Sequence, residues 1–280
     1  MDRARIAPKK SLGQNFLHDQ NVLRRIAELS LPPAGSDLIE IGPGTGNLTE
    51  HLLAVRATRG EALGPLRTIE RDRRMREVLA ERFGDAVSVQ EADAADVDWP
   101  TLLAPCGPRP TVVGNLPYYA ALPILFSLLE TSRQPARLVI MVQKEVADRL
   151  AARPSTPDYG QVSVKVQLRC DVRLAFKVGR GAFTPAPKVE SAVVVLEPLA
   201  QPRFAVPDLG RFSALVTAGF AQRRKTLSNS LTSTTKLSAT TIRQALGVLG
   251  LDERIRGEAL SVAQWAALAR ELDPALTVNG

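Results

Sequence analysis

The sequence predicts an α/β protein with a doubly wound, mostly parallel sheet, followed by a small all-α domain. Up to about residue 195, short apolar runs alternate with helical stretches, which is the βαβ pattern of a parallel sheet. Glu197-Pro198 to Pro207 is Pro-rich and reads as a linker. Beyond it, three stretches have the apolar spacing of amphipathic helices. We therefore predict one domain at 1–200, with a basic N-terminal arm at 1–14, and a helical domain at 208–280.

The predicted elements follow one another in a regular order. The strands are Asp37 to Ile41, Arg67 to Ile69, Val87 to Gln90, Thr111 to Val113, Leu138 to Val142 and Ser191 to Leu196, the last paired with the Val172–Val178 region. The helices are Leu48 to Ala54, Leu122 to Glu130, Lys144 to Ala152, Leu209 to Gln222, Thr240 to Leu249 and Ser261 to Leu272. Gln161 to Leu168 alternates polar with apolar residues and fits either a helix or a strand.

Composition indicates an ordinary soluble protein with a polyanionic partner. The 280 residues are 45% hydrophobic and 23% charged, and the formal net charge is +7. Such an excess of Lys and Arg favours nucleic acid, because these side chains release counterions from phosphates. Cys106 and Cys170 lie far apart and only two His are present, so we expect buried thiols and no metal site. We expect a cytoplasmic monomer without a membrane span or secretory signal.

A glycine-rich turn follows the first long strand. Asp37 to Ile41 runs into Gly42-Pro43-Gly44-Thr45-Gly46-Asn47, and a helix begins directly afterwards. Such a turn lets a nucleotide-like ligand approach the backbone at a helix N-terminus. The third Gly comes one residue too early for the dinucleotide fingerprint, and Pro43 removes one N–H that a pyrophosphate site could use. The turn therefore favours a ligand without phosphates, such as S-adenosylmethionine.

Acidic residues follow the next two strands. Glu70 ends the strand at Arg67 to Ile69, and Asp93 comes just after the strand at Val87 to Gln90. In a doubly wound fold, an acid at the end of the second strand can accept hydrogen bonds from both ribose hydroxyls. An acid after the third strand can accept from an adenine amine. Each acid alone is more commonly a solvated charge, but the order of the three features favours a nucleoside site.

The most informative stretch is Gly114-Asn115-Leu116-Pro117-Tyr118-Tyr119, which follows the buried strand Thr111 to Val113. The Asn115 side-chain oxygen and a carbonyl beside Pro117 can accept from an –NH2 group, and Tyr118 can stack on a flat base. An adenine amine is a poor nucleophile because its lone pair is delocalised into the ring. Two acceptors would draw it towards tetrahedral geometry. The stretch therefore predicts a pocket for a base that carries an exocyclic amine.

Five motifs in this order resemble one known family, the ribosomal RNA adenine dimethyltransferases, and in particular the bacterial small-subunit enzymes. The motifs are Lys10 to Leu17, Glu40 to Gly44, Gly114 to Tyr118, Gln143 to Val146 and Phe183 to Val189. The resemblance runs from about Lys9 to the C-terminal helices. It implies a Rossmann-like class I methyltransferase sheet in the first domain, S-adenosylmethionine as cofactor and an RNA-binding second domain. The implied product is dimethyladenosine at two adjacent positions of the 3′-terminal hairpin of 16S rRNA in the small ribosomal subunit precursor.

The resemblance also implies site residues. The implied cofactor residues are Asn15, Leu17, Gly42, Gly44, Glu70, Asp93 and Asn115. The implied target-base residues are Asn115, Leu116, Pro117, Tyr118 and Phe183. Without the resemblance, Phe183 reads as an ordinary core residue. Two departures from the family pattern are Tyr119, where the family often has Asn or His, and a longer segment from Arg56 to Pro65, which we interpret as an enlarged surface loop.

Basic residues form two groups that could follow an RNA backbone. Arg3, Arg5, Lys9 and Lys10 lie in the N-terminal arm, and Arg223-Arg224-Lys225 follows the first helix of the second domain. Such runs are usually solvated charge, but a base-sized pocket in the same chain favours RNA binding at Lys9, Lys10, Arg223, Arg224 and Lys225. Aromatic residues make up only 5% of the chain, too few for a stacking platform. We expect folded RNA with one adenine extruded into the pocket.

Three other functions are weighed against this one. A large-subunit rRNA adenine methylase of the macrolide-resistance type is the main alternative, although its motif usually has Ile where this chain has Leu116. A non-catalytic assembly or transcription factor on the same fold is disfavoured by the intact motifs. A nicotinamide-dependent oxidoreductase is disfavoured by the glycine spacing. The preferred reaction needs neither a metal nor a strong base, because a sulfonium methyl donor is already activated.

Overall fold

The computed structural model describes residues 14–58, 65–117 and 120–277. Its strands are β1 (Phe16–Leu17), β2 (Leu38–Ile41), β3 (Leu66–Glu70), β4 (Val87–Glu91), β5 (Thr111–Asn115), β6 (Arg137–Gln143), β7 (Cys170–Val178), β8 (Phe183–Thr184) and β9 (Ser191–Pro198). Its helices are α1 (Gln20–Leu29), α2 (Asn47–Ala57), α3 (Arg73–Phe83), α4 (Trp99–Leu103), α5 (Ala121–Glu130), α6 (Lys144–Ala151), α7 (Gln161–Arg169), α8 (Leu209–Phe220), α9 (Leu227–Thr234), α10 (Ala239–Val248) and α11 (Val262–Thr277).

Seven strands form one sheet in the order β4-β3-β2-β5-β6-β9-β7. Strands β2 to β6 pair in parallel, whereas β9 runs antiparallel to β6. β9 also lies next to β7, the neighbour that the sequence predicted. Because the carboxyl ends of parallel strands meet at one edge, the turns after β2, β3, β4 and β5 converge there. The predicted α/β fold with a Rossmann-like sheet and a helical C-terminal region is confirmed.

The central strands have sequences suited to burial on both faces. Leu38, Ile39 and Ile41 of β2 and Val112 and Val113 of β5 are almost completely buried. Apolar side chains on both faces of a strand are typical of parallel strands covered by helices on each side.

Gly114 lets β5 approach β2 closely, because a Cβ there would lie 2.6 Å from the Ile41 carbonyl oxygen. The close approach brings the ends of the two strands, and the residues that follow them, to one point.

Contacts between residues divide the chain into two units. The first contains Met1–Ala147 and Arg173–Pro198, and the second contains Asp148–Val172 and Leu199–Gly280. The stretch at 161–168 that fitted either helix or strand is helix α7 and belongs to the second unit. The domain boundaries predicted from sequence, 1–200 and 208–280, place the segment Asp148–Val172 in the first domain. They stay a prediction of the functional domains.

The second unit is a helical bundle with an aromatic centre. The rings of Phe220 and Trp265 stack at 5.5 Å, and Tyr159 meets Phe220 edge-on at 6.2 Å. The buried Tyr159 hydroxyl donates to the Leu260 carbonyl oxygen over 2.9 Å. Burial of this ring raises the pKa of Tyr159. The aromatic contacts bring α8 and α11 together with the segment before α7.

Among the helices of the described residues, none has the length and apolarity needed to cross a membrane. In that same part of the chain, no three His, Cys, Asp or Glu side chains group as metal ligands. Both cysteines are buried, and burial raises the pKa of the Cys170 thiol to about 12.

Candidate active site

One pocket opens at the edge of the sheet where β2, β3, β4 and β5 end. The predicted site residues that line it are Asn15, Leu17, Gly42, Gly44, Glu70, Asp93, Asn115, Leu116 and Pro117. They come from five separate parts of the sequence in the first unit. The parallel strands bring four of these parts together at their carboxyl ends, and residues 14–17 supply the fifth.

The glycine-rich turn forms the floor of the pocket. It connects β2 to the N-terminus of α2, which begins at Asn47. Gly44 has a φ of 53°, in the left-handed region that disfavours other residues, and a Cβ there would lie 3.0 Å from the Phe16 ring. Gly42 has a φ of 67°, and a Cβ there would lie 3.7 Å from the Asn115 carbonyl oxygen. Both glycines line the pocket, so backbone without side chains faces a ligand there.

Glu70 is held at the end of β3 by backbone N–H groups. One carboxylate oxygen accepts from the Gly44 N–H over 3.0 Å and the other from the Asp72 N–H over 2.7 Å. Burial raises the pKa of Glu70, and hydrogen bonds from backbone N–H groups oppose the rise. The carboxylate joins the glycine-rich turn to the end of β3 and lies at the pocket wall. Its predicted role in binding a ribose stays a prediction.

Asp93 lies in the turn after β4, next to Glu70 along the same edge. One of its oxygens accepts from the Ala95 N–H over 3.0 Å. The other lies 2.9 Å from a guanidinium nitrogen of Arg71, which also lines the pocket. Asp93 thus lines the same pocket as Glu70, and its predicted role in binding an adenine amine stays a prediction.

Residues 14–17 cover one side of the pocket. Gln14 donates to a carboxylate oxygen of Asp72 over 3.0 Å, and Asn47 donates to the Leu17 carbonyl oxygen over 2.8 Å. Strand β1 in this segment pairs antiparallel with β8, so that Phe16 lies opposite Thr184. These contacts place Asn15 and Leu17 at the pocket, and their predicted contact with the methionine end of the cofactor stays a prediction.

Asn115, the last residue of β5, is oriented by the same segment. Its side-chain N–H donates to the Asn15 carbonyl oxygen over 3.3 Å. Because the nitrogen is engaged, the amide oxygen is left as the acceptor that Asn115 can offer a ligand. The Leu116 N–H is held by the Met141 carbonyl oxygen over 3.1 Å, which fixes the backbone that precedes Pro117. Tyr118 and Tyr119 lie outside the described residues.

Phe183 is predicted to line the target-base pocket together with Tyr118, which lies outside the described residues. Phe183 begins β8 opposite Leu17, its side chain is 4% exposed, and it packs in the apolar core of the first unit. It is not among the described residues that line the pocket. The β1–β8 pairing directs the ring into the core, where burial of a large apolar side chain is favourable. The stacking role proposed for Phe183 stays a prediction.

The predicted RNA-binding residues have different surroundings. Lys9 and Lys10 lie outside the described residues. In the second unit, the Arg223 guanidinium donates to the Pro157 carbonyl oxygen over 2.8 Å and lies 3.5 Å from a Glu258 carboxylate oxygen. Arg224 and Lys225 are exposed. Arg223 therefore holds parts of its own unit together, whereas the next two residues present their charge to solvent.

Glu40 is a pocket residue whose role the sequence analysis missed. It lies in β2 just before the glycine-rich turn, is 1% exposed, and accepts from the Thr49 hydroxyl over 2.7 Å. Burial raises the pKa of Glu40 to about 8, and the nearby Glu70 carboxylate adds to the rise. The sequence signal for a special role of Glu40 was an acidic residue inside an otherwise apolar strand.

Asp72 was missed as well. The Arg74 guanidinium beside it lowers the pKa of Asp72 to about 2, and its side chain is 3% exposed. It begins α3 as the N-cap and accepts from Gln14, so it anchors residues 14–17. Gln14 and Asp72 are separated by 58 positions along the sequence, and no local pattern indicates this pair.

Replacing Glu40 with glutamine should stabilise the protein at pH 8 and change little at pH 5. The folded-state pKa of Glu40 is raised, so its stabilising contribution is present below the unfolded pKa and is lost as pH rises towards 8. We expect Glu40→Gln to gain on the order of 1–3 kcal/mol of unfolding free energy at pH 8. Urea unfolding at both pH values measures this difference. An equal effect at pH 5 and pH 8 would contradict the assignment of a protonated Glu40.

A parallel sheet with a glycine-rich turn, two acids at successive strand ends and an Asn-Leu-Pro turn at the same edge defines a Rossmann-like methyltransferase. The family described as Ribosomal RNA adenine dimethylase matches residues 6–273 of the chain. The chain belongs to this family. It is therefore a methyltransferase, and its methyl donor is S-adenosylmethionine.

Relatives match over nearly the whole chain. The Ribosomal RNA small subunit methyltransferase A of Anaeromyxobacter sp. (strain K) is 45% identical, over 97% of this chain and 96% of that protein. The protein of the same name from Geobacillus kaustophilus (strain HTA426) is 42% identical, over 98% of this chain and 94% of that protein.

Solved structures share the fold. A dimethyladenosine transferase from Plasmodium falciparum has a TM-score of 0.75 and 25% identity, over 92% of this chain and 98% of that one. The 23S rRNA methyltransferase ErmE has a TM-score of 0.68 and 27% identity, over 92% of this chain and 100% of that one.

Proposed function

We propose that the protein transfers methyl groups from S-adenosylmethionine to the 6-amino groups of two adjacent adenosines in the 3′-terminal hairpin of 16S rRNA. Each adenosine becomes dimethylated while the small ribosomal subunit is being built. The observation that carries the proposal is the hydrogen bond from the Asn115 amide to the Asn15 carbonyl oxygen, over 3.3 Å. It leaves the Asn115 oxygen to accept from a target amine at the pocket that the predicted cofactor residues line.

The pocket residues fit the cofactor by their chemistry. Glu70 and Asp93 are acceptors at the ends of successive strands, suited to ribose hydroxyls and to an adenine amine. The glycine-rich turn lines the pocket with backbone at Gly42 and Gly44, which carry no side chains. When bound, the sulfonium group supplies an activated methyl, so no metal ion is required for this transfer.

Asn115 and the Leu116 carbonyl act on the target amine. Two acceptors on its hydrogens draw the nitrogen towards tetrahedral geometry and aim its lone pair along the line of transfer. Positive charge develops on that nitrogen during transfer, so the same acceptors bind the transition state more strongly than the neutral amine. The nitrogen proton becomes acidic once the methyl arrives and can leave to water. Alignment supplies most of the acceleration.

A second transfer to the same nitrogen requires room beside these acceptors. After the first transfer the amine has one hydrogen fewer, and the new methyl group needs apolar surroundings. The resemblance suggests three sources of these apolar surroundings, which are Tyr118, Phe183 and the Pro185–Pro187 loop. The buried position of Phe183 means that Phe183→Ala would affect stability as well as base binding.

The choice of small-subunit RNA is supported by the relatives whose names specify that subunit. We propose accordingly a cytoplasmic location, the precursor of the small subunit as partner, and action as a monomer. The structural likeness to a 23S rRNA methyltransferase makes large-subunit RNA the alternative substrate.

The exposed pair Arg224 and Lys225 should contribute to RNA affinity without contributing to stability. Replacing both with Ala removes about two phosphate contacts, so the slope of log affinity against log salt should fall by about two. Arg223→Ala is the matched comparison, because its guanidinium is bonded within its own unit, and it should lower the melting temperature instead. Filter binding at several salt concentrations, with melting curves, separates these effects. A salt slope unchanged in the double variant would contradict RNA binding at this position.

The proposal is tested by methyl transfer to purified particles. Small subunits isolated from cells that lack the modification are incubated with enzyme and labelled S-adenosylmethionine, beside large subunits from the same cells. We expect dimethyladenosine in the 3′-terminal hairpin of the small-subunit RNA and no label in large-subunit RNA. Label confined to the large subunit would support the alternative substrate and overturn the proposal.

A further inference from the structure

Arg71 is a pocket residue to which none of the motifs gave a role. It follows Glu70 directly and lines the pocket together with Asp93. A guanidinium nitrogen of Arg71 lies 2.9 Å from a carboxylate oxygen of Asp93, and the Arg71 side chain is 52% exposed. The ion pair therefore bridges the turns after β3 and β4 at the pocket wall.

We infer that Arg71 is a positioning residue that holds Asp93 for recognition of the 6-amino group of the cofactor's adenine. The inference rests on the proposed function, because it takes Asp93 as the acceptor for that amine. Arg71 would then help the site to select adenine over a purine that carries an oxygen at position 6.

The contacts around Asp93 account for this role. Ala95 donates to one carboxylate oxygen, and a guanidinium nitrogen of Arg71 lies 2.9 Å from the other, so the carboxylate is held from two sides. Each oxygen retains capacity to accept a further hydrogen bond. A fixed, ionised carboxylate accepts from an –NH2 group but repels the carbonyl oxygen of a 6-oxopurine. Without Arg71, the carboxylate can turn towards water and this discrimination weakens.

The main chain of Arg71 is already ordered. It lies between Glu70, the last residue of β3, and Asp72, whose backbone N–H donates to the Glu70 carboxylate over 2.7 Å, so Arg71 is held next to the predicted ribose acceptor. Only the side chain has to be ordered to reach Asp93, which lowers the entropic cost of the pair.

A second arginine provides a matched control. Arg76 of α3 lies 4.0 Å from the Glu91 carboxylate at the end of β4, and its side chain is 61% exposed. This pair connects neighbouring parts of the same unit but neither residue is among those that line the pocket. Exposed ion pairs generally contribute little to stability, so Arg71→Ala and Arg76→Ala should both fold.

The experiment is isothermal calorimetry with two ligands, S-adenosylhomocysteine and S-inosylhomocysteine, on the full chain without RNA. The inosine compound differs by carrying an oxygen in place of the amine. The wild type is compared with Arg71→Ala, Arg71→Lys, Arg76→Ala, Asp93→Asn and the double variant Arg71→Ala with Asp93→Asn.

We expect Arg71→Ala to weaken S-adenosylhomocysteine binding about fivefold and to lower the preference for it over the inosine compound by a similar factor. Arg71→Lys should retain most of the preference, and Arg76→Ala should match the wild type. In the Asp93→Asn background, Arg71→Ala should change the preference no further, because Arg71 acts through Asp93.

Equal weakening for both ligands would overturn the inference, since it would mean that Arg71 only packs against the ligand. An unchanged preference in Arg71→Ala would overturn it as well. A wild type that binds neither ligand would instead overturn the proposed cofactor site. The two failures are therefore distinguishable.

Discussion

Replacing Asn115 with alanine is expected to lower kcat for methyl transfer by at least about a hundredfold, with little change in RNA affinity. The variant loses the side-chain oxygen that would accept from the target amine, and this acceptor is most effective as positive charge develops in the transition state. It also loses the hydrogen bond to the Asn15 carbonyl oxygen, which loosens residues 14–17 over the pocket. Single-turnover transfer to small subunits at saturating cofactor measures the chemical step directly.

Two variants make the Asn115 result specific. Asn21→Ala changes an exposed asparagine of α1 and should transfer methyl groups at the wild-type rate. Asn115→Asp keeps an acceptor but cannot donate to Asn15, so it should retain part of the activity that alanine loses. If Asn115→Ala transferred methyl groups within about threefold of the wild-type rate, its proposed role in preferential transition-state binding would be wrong.

The Glu70→Ala variant should bind S-adenosylmethionine on the order of 2–3 kcal/mol more weakly, which is about 30- to 150-fold in dissociation constant. The carboxylate is the acceptor proposed for the ribose hydroxyls, and hydrogen bonds to an ionised acceptor are the strong ones. The variant also leaves the Gly44 and Asp72 N–H groups without that acceptor, so its melting temperature should fall. Calorimetry below the melting temperature gives the affinity.

Glu91 provides the matched control for Glu70, because the two residues lie opposite each other in the register of β3 and β4. Glu91 is exposed and is not among the described residues that line the pocket. Glu91→Ala should bind the cofactor as the wild type does. Wild-type affinity in Glu70→Ala would contradict the assignment of the ribose to Glu70, and Glu70→Gln then tests whether a neutral acceptor is sufficient.

Much of the fold could be predicted because its signals are local. The run Leu138 to Val142 of β6 is uninterrupted by polar residues, and Val112 and Val113 of β5 are equally buried, as strands covered on both faces require. The glycines after β2 have backbone conformations that other residues rarely adopt, so their positions in the sequence indicated the turn. Once the strands are parallel, their carboxyl ends must meet, and this placed Glu70, Asp93 and Asn115 around one pocket.

Other features could not be predicted because they depend on contacts between distant residues. Phe183 reads the same in sequence whether it stacks on a base or packs in a core, and only the β1–β8 pairing places it in the core. Arg223 resembles its neighbours in sequence, yet it alone of the three bonds to Pro157 and Glu258.

Helix α9 was missed for a different reason. Its sequence is rich in Ser and Thr, which favour turns because their hydroxyls compete for backbone hydrogen bonds. In the bundle those hydroxyls bond back along the helix instead, as Thr234 does to the Ser230 carbonyl oxygen over 2.7 Å. Burial of Leu227 and Leu231 against the rest of the second unit outweighs the weak local preference.

The most direct test of the account is mass spectrometry of ribosomal RNA from a strain that lacks this gene, compared with the same strain carrying the gene on a plasmid. Dimethyladenosine should be absent from both adjacent positions of the 3′-terminal hairpin of 16S rRNA in the deletion strain. It should return with the wild-type gene and not with the Asn115→Ala gene. Two adenosines that remain dimethylated in the deletion strain, or a methyl group lost only from large-subunit RNA, would contradict the account.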